Sequence, residues 1–153
     1  MIVAFGCDHA GFPFKERIVR EVVSAGHEVR DLGAFVEDLD DDYPVYARRV
    51  AEALTASRAE RGVLLCGSGV GVSVAANKFP GIRAAVCHDT YSARQGVEHD
   101  ALNVICLGMR VVRLEQAVEL VRTFLTAHFS GDERHRRRLA EIEAIERETR
   151  RAA

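Results

Sequence analysis

The stretch LLCGSGVGVSVAANK, Leu64 to Lys78, sets a cysteine against three alternating glycines and then runs on as a helix. Gly67, Ser68, Gly69, Val70 and Gly71 read as a turn between a strand and that helix, with amide groups aimed above a sheet. Such a turn binds an anion, because glycine lets a ligand approach the backbone closely and the helix dipole adds roughly half a positive charge. The same donors can draw the pKa of Cys66 toward neutrality and carry an oxyanion on a substrate. The plainer alternative is a buried cysteine that closes a strand, the reading given to Cys7, Cys87 and Cys106.

Three phosphate-binding loops fail here on single residues. The dinucleotide fingerprint wants G-x-G-x-x-G, but the third glycine falls one position early and leaves Val72 in its place, although Asp89 follows about twenty residues on. A P-loop needs glycine at Asn77 and a hydroxyl residue after Lys78. A cysteine phosphatase needs an arginine six residues after its thiol, and that position is again Val72.

The elements that must position this turn are legible as alternation. Short apolar runs recur at Ile2 to Gly6, Glu28 to Leu32, Gly62 to Cys66, Arg83 to Cys87 and Asn103 to Leu107. They read as strands buried on both faces of a parallel sheet. Between them lie helical stripes: Phe14, Ile18, Val19, Val22 and Val23; Tyr46, Val50, Ala53 and Leu54; Leu114, Val118, Val121 and Leu125. Repeated βα units with short right-handed crossovers predict an α/β fold, a single-domain three-layer α/β/α sandwich over residues 1–153. The expected sheet is five-stranded, parallel and Rossmann-like, in the order 2-1-3-4-5. Ligands of such sheets bind beyond the carboxyl ends of the strands. Asp8 and His9, Cys66 to Gly71, and His88 with Asp89 all follow strands and should converge there. Residues 132–151, with Leu139, Ile142 and Ile145 at helical spacing, come after the sheet is complete. They predict a C-terminal helix that packs on a second copy of the chain.

Composition narrows the function. The 153 residues carry a net charge of −2, are 48% hydrophobic and contain no apolar run long enough for a bilayer span. No membrane or nucleic-acid partner is expected. The N-terminus reads as a strand rather than a secretory signal, which suggests the cytoplasm. The four cysteines show no C-x-x-C spacing, so neither a zinc site nor a disulfide framework is expected. His27, His128 and His135 have no partner pattern and read as structural.

Taken together, FGCDHAGF (Phe5 to Phe12), DYPVYA (Asp42 to Ala47), CGSGVGVSVAANKFPGIRA (Cys66 to Ala84), YSA (Tyr91 to Ala93), His99, Asn103-Val104, GMRV (Gly108 to Val111) and RHRRR (Arg134 to Arg138) resemble the type B ribose-5-phosphate isomerases and the related galactose-6-phosphate isomerase subunits. The resemblance spans nearly the whole chain. It implies a metal-independent aldose-ketose isomerase without a cofactor, working as a homodimer or tetramer whose active sites are shared between subunits. The implied substrate is ribose 5-phosphate, converted to ribulose 5-phosphate in the pentose phosphate pathway; a tetrose or hexose phosphate, or a sugar-phosphate-binding module without turnover, are the alternatives. By the same resemblance Cys66 is the base that shuttles the carbon-bound proton, Ser68 helps move protons between sugar oxygens, and His99 opens the sugar ring. The amides from Gly67 through Gly69 and Val70 to Gly71 carry the oxyanion. His9, Arg110, Arg134 and Arg138 grip phosphate, the last two from the partner subunit; being four apart, those two share one helix face. Asp8, Asp42, Tyr43 and Asn103 bind sugar hydroxyls or hold the enediolate. The sequence departs from the family at Asp100, often asparagine, at Glu133, often glycine, and at Val72, where some members place a glutamate base.

Overall fold

A computed structural model describes residues 1–151 of the chain; the last two residues of the expected 1–153 domain lie outside it. The elements alternate as β1 (Ile2–Cys7), α1 (Phe12–Ser24), β2 (Glu28–Asp31), α2 (Tyr43–Thr55), β3 (Arg61–Cys66), α3 (Val70–Ala76), β4 (Ala84–Val86), α4 (Thr90–Asp100), β5 (Val104–Gly108), α5 (Leu114–Thr126) and α6 (Glu133–Arg151). All strand pairs are parallel.

The sheet order is β2-β1-β3-β5-β4, so the layered architecture is as expected while the last two strands exchange places relative to 2-1-3-4-5. Burial explains the exchange. All five residues of β5, Val-Ile-Cys-Leu-Gly, are buried, whereas β4 has three residues, each half-exposed. A short, partly exposed strand belongs at an edge, and a fully apolar one needs a neighbour on each side.

Right-handed crossovers then decide which face each helix covers. Steps from β2 to β3 and from β3 to β4 run one way across the sheet and place α2 and α3 together. Steps from β1 to β2 and from β4 back to β5 run the other way and place α1 and α4, with α5, on the opposite face. Alternation along each strand feeds both layers: Val63 and Leu65 of β3 join Phe5, Ile105 and Phe124, while Leu64 and Cys66 join Val50, Val72 and Cys106. Fully buried side chains such as Phe5 and Phe124 each contribute about 1.5–3 kcal/mol relative to exposure. One ionic tie crosses the first layer: Glu21 of α1, 4% exposed, bonds Arg17 at 2.9 Å and Arg122 of α5 at 2.5 Å.

The C-terminal helix folds back along its own chain. Its Glu146 carboxylate accepts the Gly81 amide at 2.9 Å, and His135 is buried against α4. Ile142 and Ile145 remain exposed at 45% and 61%, so the stripe seen in the sequence is only partly used within one chain.

Candidate active site

Strand register brings the carboxyl-end residues level. Cys7 pairs with Leu65 and Cys66 with Gly108, so Asp8, Cys66 and Gly108 emerge side by side. The peptides beyond the strands are stitched together: Asp8 N–H donates to Leu65 O (3.2 Å), Met109 N–H to Cys66 O (2.8 Å) and Arg110 N–H to Gly67 O (3.0 Å). A cavity of about 290 Å³ opens there, lined by Asp8, His9, Ala10, Cys66, Gly67, Ser68, Arg110 and Val111.

The glycine turn keeps Cys66 at the cavity wall. Gly69 has φ +80°, a left-handed conformation that an L side chain rarely adopts, and it forms the N-cap of α3. Gly71 lies under the Tyr43 ring, where a Cβ would stand 2.7 Å from the ring carbons. Ser68 Oγ accepts the Val70 amide at 3.2 Å, which withdraws one of the expected oxyanion donors.

The thiol itself departs from expectation. Burial pushes the Cys66 pKa above the ordinary cysteine value, the neighbouring Asp8 carboxylate pushes it further, and the Gly69 and Ser68 amides offset only part of this. The turn therefore does not draw the thiol toward neutrality, because desolvation of a thiolate at the end of a buried strand outweighs the pull of the amides. Cys7 and Cys87 are pushed up by burial to about 11, and Cys106 higher still, which fits the structural reading of all three.

Asp8 is 4% exposed, and its Oδ1 accepts the Ala10 and Gly11 amides at 3.0 and 3.1 Å. His9 stands beside it, Nδ1 2.7 Å from Asp41 Oδ1, and that contact raises its pKa and favours the imidazolium. Asp41 is the residue that the sequence does not single out: Asp40, Asp41 and Asp42 are adjacent and look alike, and only the fold shows which one turns inward. Its Oδ2 is buried without a partner, and Tyr46 beside it is pushed up to about 12, by burial first and then by this carboxylate. Asp42 itself caps α2 without a side-chain bond. Arg110 lies across Gly67, its Nη1 3.4 Å from where a Cβ would stand.

The remaining predicted residues are elsewhere in the chain. Asn103 precedes β5, where its carbonyl accepts the Gly62 amide at 2.8 Å, and Gly62 is four residues before Cys66. Four parallel-strand residues span about 13 Å, so Asn103 and the His99 that precedes it sit at the amino edge of the sheet, away from the thiol. The Asn103 side chain is engaged there, accepting the Arg83 amide and donating to Gly81 O, each at 2.8 Å. His99 stacks on His135, and Arg134 and Arg138 flank His135 on exposed turns of α6. The expected site is thus two clusters at opposite edges: Asp8, His9, Asp42, Tyr43, Cys66, the Gly67–Gly71 turn and Arg110 at one, and His99, Asn103, Arg134 and Arg138 at the other.

Among the described residues no group of three or more His, Cys, Asp or Glu side chains is placed to hold a metal ion, and no helix is long and apolar enough to cross a membrane. Asp100 ends α4 at the surface; Glu133 opens α6, where a carboxylate is favourable at the positive end of the helix dipole.

A parallel α/β sheet with a thiol, a carboxylate and cations gathered beyond its strand ends defines a class, and the chain belongs to the Ribose/Galactose Isomerase family, whose profile matches residues 3–142. It is 47% identical over 144 residues to ribose-5-phosphate isomerase B of Escherichia coli K12, covering 94% of this chain and 95% of that one. The structure of ribose-5-phosphate isomerase B from Clostridium thermocellum superposes with a TM-score of 0.93 at 42% identity, covering 97% of this chain and 99% of the other. The Mycoplasma genitalium ribose-5-phosphate isomerase B, solved with bound ribulose 5-phosphate, matches with a TM-score of 0.90 at 37% identity, covering 96% and 97%.

Proposed function

We propose that the chain is an aldose-ketose isomerase interconverting ribose 5-phosphate and ribulose 5-phosphate through an enediolate, in a site completed by a second copy. The observation that carries the reading is Cys66 at the wall of the carboxyl-edge cavity with Asp8, the glycine turn, the His9–Asp41 pair and Arg110 around it. The relatives named ribose-5-phosphate isomerase B, and the one solved with ribulose 5-phosphate, support the substrate.

The chemistry assigns each group a task. The furanose ring opens when its hemiacetal O–H loses a proton and the ring oxygen gains one, a role for His99. The Cys66 thiolate then takes the proton on C2, and the electron pair moves into the C1–C2 bond as the carbonyl oxygen becomes an oxyanion. The amides of the turn hold that charge. Ser68 passes a proton between the two sugar oxygens, and the Cys66 S–H returns its proton to C1, giving the ketose and regenerating the thiolate. Asp8 and Tyr43 face the sugar hydroxyls. Cationic His9, together with Arg110, binds phosphate at the carboxyl edge.

Within one chain, His99, Arg134 and Arg138 stand at the wrong edge for this sequence of steps. Their task is met if each chain offers its amino-edge cluster to the carboxyl-edge cavity of a partner, which makes a homodimer the smallest working unit. A cytoplasmic location fits a sugar-phosphate substrate. Conversion of ribose 5-phosphate by metal-free protein, with Cys66→Ala beside it, tests the reading; an inactive parent chain would refute the pentose assignment, and a fully active variant would refute the thiol base.

A further inference from the structure

His135 reads as structural from the sequence, yet its surroundings ask for more than packing. It is 1% exposed in the first turn of a helix whose other residues are mostly in solvent. Its ring stacks on His99 with centroids 4.0 Å apart and planes 25° apart. Its Nδ1 lies 2.6 Å from Ser130 Oγ, which also accepts the Asp132 amide at 3.2 Å, and the Ser130 amide donates to Glu98 O at 2.9 Å. The loop before α6 is therefore laced to the turn of α4 that carries His99. His135 Nε2 is buried without a partner. A phenylalanine would fill this space and leave no nitrogen unpaired; what an imidazole adds is a bond to Ser130 at its edge while its face holds His99.

From the other side, Gln95 Nε2 lies 3.0 Å from His99 Nδ1. An amide NH2 donates, so His99 Nδ1 accepts and its neutral ring carries the proton on Nε2. The ring is thus fixed on one face and at one nitrogen. Arg134 and Arg138 flank His135 on α6, so whatever fixes His135 also fixes where their guanidinium groups start.

We propose that His135 is a positioning residue, joining the His99 ring and the Arg134/Arg138 pair in one rigid unit so that the ring-opening end and the phosphate end of a bound sugar phosphate are held at a set spacing. The inference rests on the roles of those three residues in the proposed function. A set spacing makes the unit a gauge of sugar length: a pentose phosphate that reaches both ends is turned over, and a shorter tetrose phosphate reaches only one. The groups facing His135 are His99 from α4, Asp132 from the preceding loop, and Arg134 and Arg138 on α6. Burial first, then His99 and Arg134, keep its proton affinity below the ordinary histidine value, with Asp132 opposing and Arg138 adding a little. A neutral His135 lets His99 change charge during ring opening without two stacked cations repelling each other.

The test uses the full chain with His135→Ala, His135→Phe and Ser130→Ala, reading kcat and KM for ribose 5-phosphate across pH and the His99 ring resonances by NMR. His135→Ala is expected to lower kcat/KM by about tenfold to a hundredfold, the scale of a small misplacement of catalytic groups, with KM rising as the arginines lose their seat. His135→Phe, which keeps the stacked face, is expected to recover most of kcat, and Ser130→Ala to fall between the two. The His99 ring resonances should move toward solvent positions in His135→Ala, shift part of the way in Ser130→Ala, and stay near the parent in His135→Phe. A variant with lower melting temperature but unchanged kcat, KM and His99 resonances would overturn the proposal, as would a phenylalanine variant no better than alanine. If His135→Ala does not fold, Ser130→Ala and His135→Phe decide the question by the same readouts. If the parent chain does not turn over ribose 5-phosphate, the proposed function fails by itself, and unmoved His99 resonances would still be needed to refute the positioning role.

Discussion

The two edges of the sheet hold the two halves of the expected site and are built by different means. At the carboxyl edge, strand register, a left-handed glycine and backbone bonds between adjacent loops fix Asp8, Cys66 and Arg110, so the backbone itself does the positioning. At the amino edge the backbone is a helix end and an exposed C-terminal helix, and the order comes from side chains: the His99–His135 stack, Ser130 on His135, Gln95 on His99. The difference teaches that the first half is preorganised by the backbone of the sheet, whereas the second depends on a chain of side-chain contacts between α4, α6 and the loop between α5 and α6.

Replacing the thiol should have the largest effect. Cys66→Ala should lower kcat by about a hundredfold to ten-thousandfold, the range of a lost general base, with KM little changed and the chain still folded. The amino edge should answer differently: Arg138→Ala should raise KM for ribose 5-phosphate by about tenfold or more, as expected when a charge-assisted phosphate contact is lost, while thermal unfolding stays as in the parent. Equal KM and kcat responses at both edges would erase the contrast.

The pH profile sharpens the carboxyl edge. The Cys66 thiol is raised by burial and by Asp8, so thiolate and rate increase with rising pH. Asp8→Asn removes one of those causes, and the limb on which kcat/KM rises with pH should move to lower pH; an unmoved limb would mean that burial alone sets it. Asp41→Asn probes the missed partner. Because Asp41 raises the His9 pKa, the stability of the pair is present below the ordinary histidine value and lost as pH rises through the raised one. The variant should therefore be destabilised more in mildly acidic than in alkaline buffer, as read by melting temperature against pH.

Gly69→Ala should have the smallest effect that unfolding reads, about 1–2 kcal/mol or somewhat more, because a side chain in the left-handed region is strained and its Cβ would stand 3.1 Å and 3.2 Å from the Leu107 and Gly108 backbone; denaturant unfolding measures it.

Much of the carboxyl edge was legible because its signals are local. An apolar run ending in Asp8-His9 or in Cys66 followed by glycines announces a strand and the turn beyond it, and parallel βα alternation then puts those turns on one side. Strand order was less legible: β4 and β5 read alike as short apolar runs, and only burial of every β5 residue shows which is interior. Asp41 could not be told from Asp40 and Asp42, since inward orientation depends on how the loop before α2 lies over β1. His135 had no signal at all, because its partner His99 is thirty-six residues away and the stack exists only once α6 folds back on α4.

The central claim, that a working site needs the carboxyl edge of one chain and the amino edge of another, is tested most directly by mixing two variants, each impaired at one edge, and assaying at substrate well below the parent KM, where the arginine variant is slow. Cys66→Ala and Arg138→Ala chains, unfolded and refolded together, should regain activity: half of the dimers formed are hybrids, each with one intact site, for about a quarter of the parent rate. If each site were built from a single chain, no hybrid would contain an intact one, and the mixture would show no more activity than the two variants assayed apart.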